Sequence, residues 1–226
     1  MKFENAEVFN FKGALRGMRN PKNSWDRSDS SFESNNIYIG ENDMRLAKAL
    51  IHGGSEHRKF LRQIIVSVDI TAPLYWWKEF DTYKIGTTAN STSTMHKITS
   101  KPITLDCFEI DDYCSDISVK KVNQSEVVDP KFVAHWHMDM FIENLIEKLE
   151  DLRQSYIETK DKSYWKELIR WLPESWLQTR TVTMNYENLL SMYRQRENHK
   201  LIEWNSFREW VETLPYSKEF ITKKED

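Results

Sequence analysis

Residues 64–70, Ile-Ile-Val-Ser-Val-Asp-Ile, place the strongest constraint on the fold. Ile64, Val66, Val68 and Ile70 recur at every second position, the period of a strand with one buried face. Phe60, Leu61, Ile64 and Ile65 also fit a helical stripe, but the β-branched residues favour a strand over about Arg62–Ile70. Ala72-Pro73 breaks that strand, and Leu74–Tyr83 begins a helix with Trp76, Trp77 and Phe80 on its apolar side. This junction is one part of a longer pattern of strands and helices.

The remaining pattern supplies them. Val8, Phe9, Phe11 and then Gly13 read as a strand and turn within residues 3–18, followed by a polar loop over Asn20–Asn36. Met44, Leu46, Ala47, Leu50 and Ile51 make Glu41–Ile51 a helix. Phe132–Lys160 reads as a long helix through Met138, Phe141, Ile142, Leu145, Leu149 and Leu152. Ser163–Trp171 is a second helix, ended by Leu172-Pro173. Leu177–Thr183 is a short strand, and Asn185–Arg196 and Glu203–Leu214 are further helices. With no internal repeat and no linker, the expectation is one α+β domain over residues 1–226, a central mostly antiparallel sheet packed by long helices.

Composition narrows the function classes. Aromatic residues are 13% of the 226, which argues against a disordered chain. A net charge of −3 lacks the basic signature of a non-specific nucleic-acid binder. Cys107 and Cys114 are too few for a secreted disulfide scaffold and read as reduced thiols of a cytoplasmic protein. The polar, acidic N-terminus is unlike a signal peptide, and the longest apolar run, Ile64–Val66, is far too short for a membrane span.

Neither a nucleophile motif nor a phosphate-binding motif is present. His135-Trp136-His137-Met138-Asp139 could form a metal pair only on a strand; on a helix, positions i and i+2 diverge, and a polar pair at a helix entry is the better reading. His52, Glu56 and His57 flank Gly53-Gly54 and read as capping or surface groups. The run Gly86–His96 is more informative. Its hydroxyls and amide can wrap a phosphate or a heterocycle, and the same residues also make solvated turns. Finally, Asn185 sits where a strand passes into a helix, and Arg196 lies eleven residues on, on nearly the same face. Asn can hold a heterocycle edge and Arg a phosphate; the bland alternative is an N-cap and a surface arginine.

The order of these features resembles the flavin-dependent (alternative) thymidylate synthases. In that family an Ala-Pro after a core strand precedes the signature R-H-R-x-x-S-x-N-E-x-S-x-R-Y, and a later Leu-Pro precedes an Asn and then an Arg on one helix. Laid without gaps, the signature falls on Thr82–Met95: Thr82, Tyr83 and Lys84 on Arg-His-Arg, then Thr87, Ala89, Asn90, Thr92 and Thr94 on Ser, Asn, Glu, Ser and Arg. A one-residue slip places Asn90 and Ser93 on the family Asn and Ser instead. Asn185 falls on the asparagine associated with flavin, and Arg196 on the arginine associated with nucleotide phosphate. Tyr186, Glu187 and Ser191 depart from the family pattern between them.

The resemblance covers roughly residues 60–210 and implies methylation of deoxyuridylate (dUMP) to thymidylate. FAD would be the cofactor, with NADPH and methylenetetrahydrofolate as co-reactants, at sites built between subunits of a homotetramer. It implies Ser93 and Thr92 near the reacting pyrimidine, Lys84, Asn185 and Tyr83 at the cofactor, and Asn90, Arg196 and Lys78 at the substrate. From the residue spacing and the short apolar runs, no metal and no membrane are expected. Replacement of signature arginines carries the alternative, a non-catalytic nucleotide-binding or interaction module on the same fold, because each lost charge-assisted contact removes about 1.5–3 kcal/mol. A third reading, nucleic-acid stacking on the aromatic helix, has the acidic balance against it.

Overall fold

The computed structural model describes residues 1–33, 36–110, 118–120 and 135–223. The strands are β1 (Lys2–Phe9), β2 (Ser31–Glu33), β3 (Asn36–Tyr38), β4 (Ile65–Pro73), β5 (Thr88–Ser91), β6 (Ser118–Lys120), β7 (His135–His137) and β8 (Leu177–Asn185). The helices are α1 (Phe11–Arg19), α2 (Glu41–His52), α3 (Leu74–Phe80), α4 (Thr94–Lys97), α5 (Met138–Thr159), α6 (Lys162–Arg170), α7 (Tyr186–Gln195) and α8 (Glu203–Glu212). The chain is α+β, with a four-stranded sheet ordered β1-β4-β8-β5 in which β1 runs antiparallel to β4 and β5 to β8.

Two compact units emerge from chain packing. The first comprises Met1–Ala72, Trp76–Ser91 and Thr179–Asp226; the second comprises Pro73–Tyr75 and Thr92–Gln178. In the first unit the alternation of β4 buries Val66, Val68, Ile70 and Ala72 and turns Ser67, Asp69 and Thr71 the other way. β8 does the same with Val182 and Met184 against Thr181 and Thr183. The polar face is knitted by hydroxyls: Thr181 Oγ1 donates to Asp69 Oδ1 at 2.5 Å, and Thr71 and Thr179 share a 2.7 Å hydrogen bond. The apolar side carries an aromatic cluster in which Trp76 lies 4.9 Å from Trp204, 5.2 Å from Phe80 and 6.1 Å from Phe207 between ring centroids.

The second unit packs α5 and α6 around Leu149, Leu168, Ile98, Ile103 and Phe108. Phe141, expected in the apolar stripe of the long helix, is exposed, so the stripe is buried only towards the helix's C-terminal half. Glu150 anchors the preceding segment. It receives Arg153 at 2.6 and 2.8 Å and the backbone N–H of Ile103 at 2.8 Å. The hydrogen bond from Arg153 is the largest cause holding the Glu150 carboxyl down at about 2, against an ordinary value of 4.5. A depressed carboxyl stabilises the fold at pH values above its unfolded value and loses that contribution as pH falls through the folded one. The expected result is about 2 kcal/mol of stability lost between pH 5 and 2 that Glu150→Gln does not lose. Denaturant titrations of both proteins across that range check it, and parallel curves would refute it.

Several sequence expectations are corrected. The stretch expected to turn after residue 9 forms α1 instead, because Phe11, Ala14, Leu15 and Met18 bury one helical face. Ser31–Glu33, within the expected Asn20–Asn36 loop, form β2 and pair antiparallel with β3. Ala72-Pro73 closes β4 rather than following it, and α3 stops at Phe80. The 86–96 loop contains β5 and α4. The helix expected from Phe132 begins at Met138, and residues 135–137, read as a helix entry, form a strand paired with β6. Cys107 is a free thiol, and Cys114 lies outside the described residues, as do 132–134. Among the described residues no helix is long and apolar enough to cross a membrane.

Candidate functional site

Three segments of the first unit meet around the start and end of α7. Asn185 is the N-cap: its Oδ1 accepts the N–H of Asn188 at 3.0 Å, while Asn188 Oδ1 accepts the N–H of Asn185 at 3.1 Å. This reciprocal box satisfies two of the orphan donors at the helix start. Asn188 Nδ2 then donates to the Ile85 carbonyl at 2.7 Å, which ties the loop after α3 to the helix. Asn185 Nδ2 makes no hydrogen bond among the described residues.

The approach of loop to helix depends on Gly86. Its φ is +77°, and a Cβ there would stand 3.0 Å from both Asn185 Nδ2 and Asn188 Oδ1. An L side chain in this conformation costs about 1–2 kcal/mol before any clash. We expect Gly86→Ala to destabilise the protein by about 2 kcal/mol in chemical denaturation. A change below a few tenths of that would show that the loop is not held against α7.

Arg196 closes the other end of α7. Its Nε donates to Tyr83 Oη at 2.8 Å and its Nη1 to Glu79 Oε2 at 3.0 Å. Its guanidinium carbon lies 4.6 Å from the centre of the Trp204 ring and 5.2 Å from that of Tyr83. Tyr83 Oη in turn donates to Gln195 Oε1 at 3.2 Å. The arginine is thus held by a carboxylate, a phenol and two aromatic faces, a stronger set than either an N-cap partner or a surface residue would have. Eleven residues of helix put Asn185 and Arg196 about 16 Å apart, so the two reach different parts of any ligand.

Lys84 is exposed and makes no hydrogen bond or ion pair among the described residues. Asn90 is exposed on β5, opposite Thr181 of β8, and its side chain is likewise unengaged among the described residues. Lys78 is exposed on α3 and has interactions of its own. Sequence reasoning missed Glu79 and Trp204, which hold Arg196, and Arg180, which pairs with Asp81 at 2.8 Å and lies 4.2 Å over the Trp77 ring.

In the second unit, Ser93 caps the short α4. Its Oγ lies 2.7 Å from His96 Nδ1 and accepts the His96 N–H at 3.2 Å. Thr92 and Ser93 line a cavity of about 220 Å³ together with Lys97, Lys101, Cys107 and Trp176. Hydroxyls and two ammonium groups at one small cavity suit an oxyanion. His52, Glu56 and His57 are exposed, and no group of three metal-ligating side chains gathers among the described residues.

The donor set can be tested against a flavin nucleotide. In the first unit it offers two unengaged amides, Asn90 and Asn185 Nδ2, for heterocycle edges, and one unengaged ammonium, Lys84, for a phosphate. These fit a flavin ring and one phosphate group; Arg196 meets a further phosphate only by exchanging Glu79 for it.

The sequence matches no protein-family model and no curated protein. Solved structures do match it. Thymidylate synthase X (ThyX) from Helicobacter pylori, with FAD and dUMP, aligns at a TM-score of 0.65 and 15% identity over 99% of this chain and 98% of that one. A second structure of the flavin-dependent enzyme from that organism, complexed with FAD and dUMP, aligns at 0.63 and 14% over the same shares. The UMP/dUMP methylase PolB from Streptomyces cacaoi, bound with 5-Br dUMP, aligns at 0.58 and 13% over 97% of this chain and 92% of that one. The chain therefore has the α+β fold of the flavin-dependent thymidylate synthases, end to end and at very low sequence identity.

Proposed function

We propose that the chain binds a pyrimidine nucleotide of the dUMP type together with FAD and methylates the pyrimidine as a thymidylate synthase does. The observation that carries this reading is the set of unengaged donors Lys84, Asn90 and Asn185 Nδ2, on a fold whose solved counterparts hold dUMP or its bromo analogue. In this reading Asn185, Tyr83 and Lys84 hold the flavin. Asn90, Lys78 and Arg196 hold the nucleotide, and Ser93 and Thr92 stand at the pyrimidine. Bound flavin would supply the hydride and the methylene relay, with NADPH and methylenetetrahydrofolate as co-reactants. The protein's own part is positioning and electrostatics. A cytoplasmic homotetramer completes the reading.

The ion pair of Arg196 with Glu79 favours a second reading, nucleotide binding without turnover. Glu79 is 43% exposed, so the pair is screened and a phosphate dianion can displace the carboxylate. The test uses dUMP tritiated at ring C5, with FAD, NADPH and methylenetetrahydrofolate, and reads release of tritium to water. Release that falls at least tenfold in Lys84→Ala/Asn185→Ala is expected. Calorimetric dUMP binding without release would establish the second reading, and absence of both would overturn the two together.

A further inference from the structure

We propose that the first unit carries a second anion site, a cleft between the segment that follows α1 and helix α2 that takes a di- or triphosphate chain. The cleft has a volume of about 810 Å³, and Arg19, Lys22, Arg27 and Arg45 line it against a single carboxylate, Asp26. It shares no residue with the nucleotide and flavin positions described above.

The cleft is a built structure. The segment after α1 is pinned to the start of α2 by Asp29, whose carboxylate accepts the N–H groups of Asn42 at 2.9 Å and Asp43 at 3.1 Å. Asp43 is fully buried; it accepts Ser28 Oγ at 2.7 Å, Ser30 Oγ at 2.6 Å and Arg19 Nε at 2.5 Å. Arg19 is itself only 4% exposed. Its Nη1 donates to the Ser24 carbonyl at 3.2 Å, but its Nη2 is buried with no hydrogen-bond partner among the described residues. An unpaired guanidinium nitrogen in a buried setting is costly, and Arg19 contributes to the wall of the cleft a charge fixed in place by Asp43.

The surrounding cations point the same way. Lys22 and Arg27 are exposed and make no hydrogen bond or ion pair among the described residues. Arg45 gives Nη2 to Asn42 Oδ1 at 2.9 Å and has its remaining donors available. With Asp43 offsetting Arg19 and Asp26 offsetting one other cation, two positive charges remain in excess. That excess, and a volume well above that of one phosphate, match a phosphate chain of two or three units. Trp25, half exposed and held by its Nε1 donating to Asn20 Oδ1 at 2.8 Å, does not line the cleft, so the site is one for phosphates rather than for a base.

Calorimetric titration of the full chain with inorganic tripolyphosphate tests the site. Binding should weaken at least tenfold in Arg27→Ala and vanish in Lys22→Glu/Arg45→Glu, while Lys12→Ala, on the exposed side of α1, binds as the parent does. Circular dichroism shows whether the double variant is folded; if it is not, Arg27→Ala alone decides. Excess dUMP should leave the binding intact. A parallel titration with ATP separates the sources. Tighter binding than tripolyphosphate identifies a nucleotide, and equal binding identifies the free phosphate chain. No binding of either ligand, or unchanged binding in Arg27→Ala, overturns the proposal.

Discussion

Asp43→Ala should cost about 3–5 kcal/mol of folding stability. The carboxylate has no solvent exposure and neutralises an arginine that is 4% exposed. Burial pushes the Asp43 carboxyl up, but the hydroxyls of Ser30 and Ser28 and the Arg19 guanidinium outweigh it, so the group lies below its ordinary value. Truncation would leave Arg19 buried with Nε and Nη2 both unpaired and would free Ser28 and Ser30 as well. The cost therefore comes mostly from the orphaned charge rather than from the lost pair. Replacing both partners, as in Arg19→Met/Asp43→Leu, should cost clearly less than Asp43→Ala alone. Urea denaturation of the two variants checks this ordering. An Asp43→Ala cost below about 1 kcal/mol would mean that the arginine finds water or another acceptor.

Trp76→Ala should cost a comparable 3–5 kcal/mol by opening a cavity at the centre of the aromatic cluster. The ring is completely buried and packs on Trp77, Phe80, Trp204 and Phe207. Its Nε1 is buried without a hydrogen-bond partner among the described residues, so the indole nitrogen stabilises nothing there. Trp76→Phe removes that unpaired donor and keeps most of the ring contact, and should cost only about 1 kcal/mol. Equal costs for the two variants would show that the nitrogen has a partner after all. Because Trp204 also lies under Arg196, Trp76→Ala should in addition loosen the arginine end of α7.

Much of this fold could be read from periodicity. The alternation at 64–70 did give β4, and the helices near 41–52, 138–159, 162–170, 186–195 and 203–212 lie where apolar spacing put them. What failed has physical causes. The α1 stripe at Phe11, Ala14, Leu15 and Met18 is present in the sequence, but Gly13 and Gly17 look like breaks. A Cβ at Gly17 would meet only the end of the exposed Gln63 side chain, at 2.6 Å from its Oε1, so the glycine does not interrupt the helix. β5 has no apolar residue larger than Ala89 because all four of its positions are exposed, and only backbone pairing with β8 makes it a strand.

The site was legible in part. Asn185 as a helix N-cap follows from its place between strand and helix, and the structure bears that out. The partnership of Arg196 with Glu79 and Tyr83 joins residues more than a hundred positions apart, and no spacing rule reaches that far. Tyr186, at a position where the resemblance departs from the family pattern, is a core residue. Its hydroxyl donates to the Pro215 carbonyl at 2.6 Å, and burial pushes the phenol far above its ordinary value.

The most direct measurement on the central proposal is the visible absorption of the purified protein, mixed with FAD, desalted, and then titrated with dUMP. A retained flavin band that shifts on adding dUMP, and that is lost in Lys84→Ala/Asn185→Ala, is the predicted result. A colourless protein whose heat of mixing with dUMP is nil would contradict it and leave the fold without the ligands its solved counterparts hold.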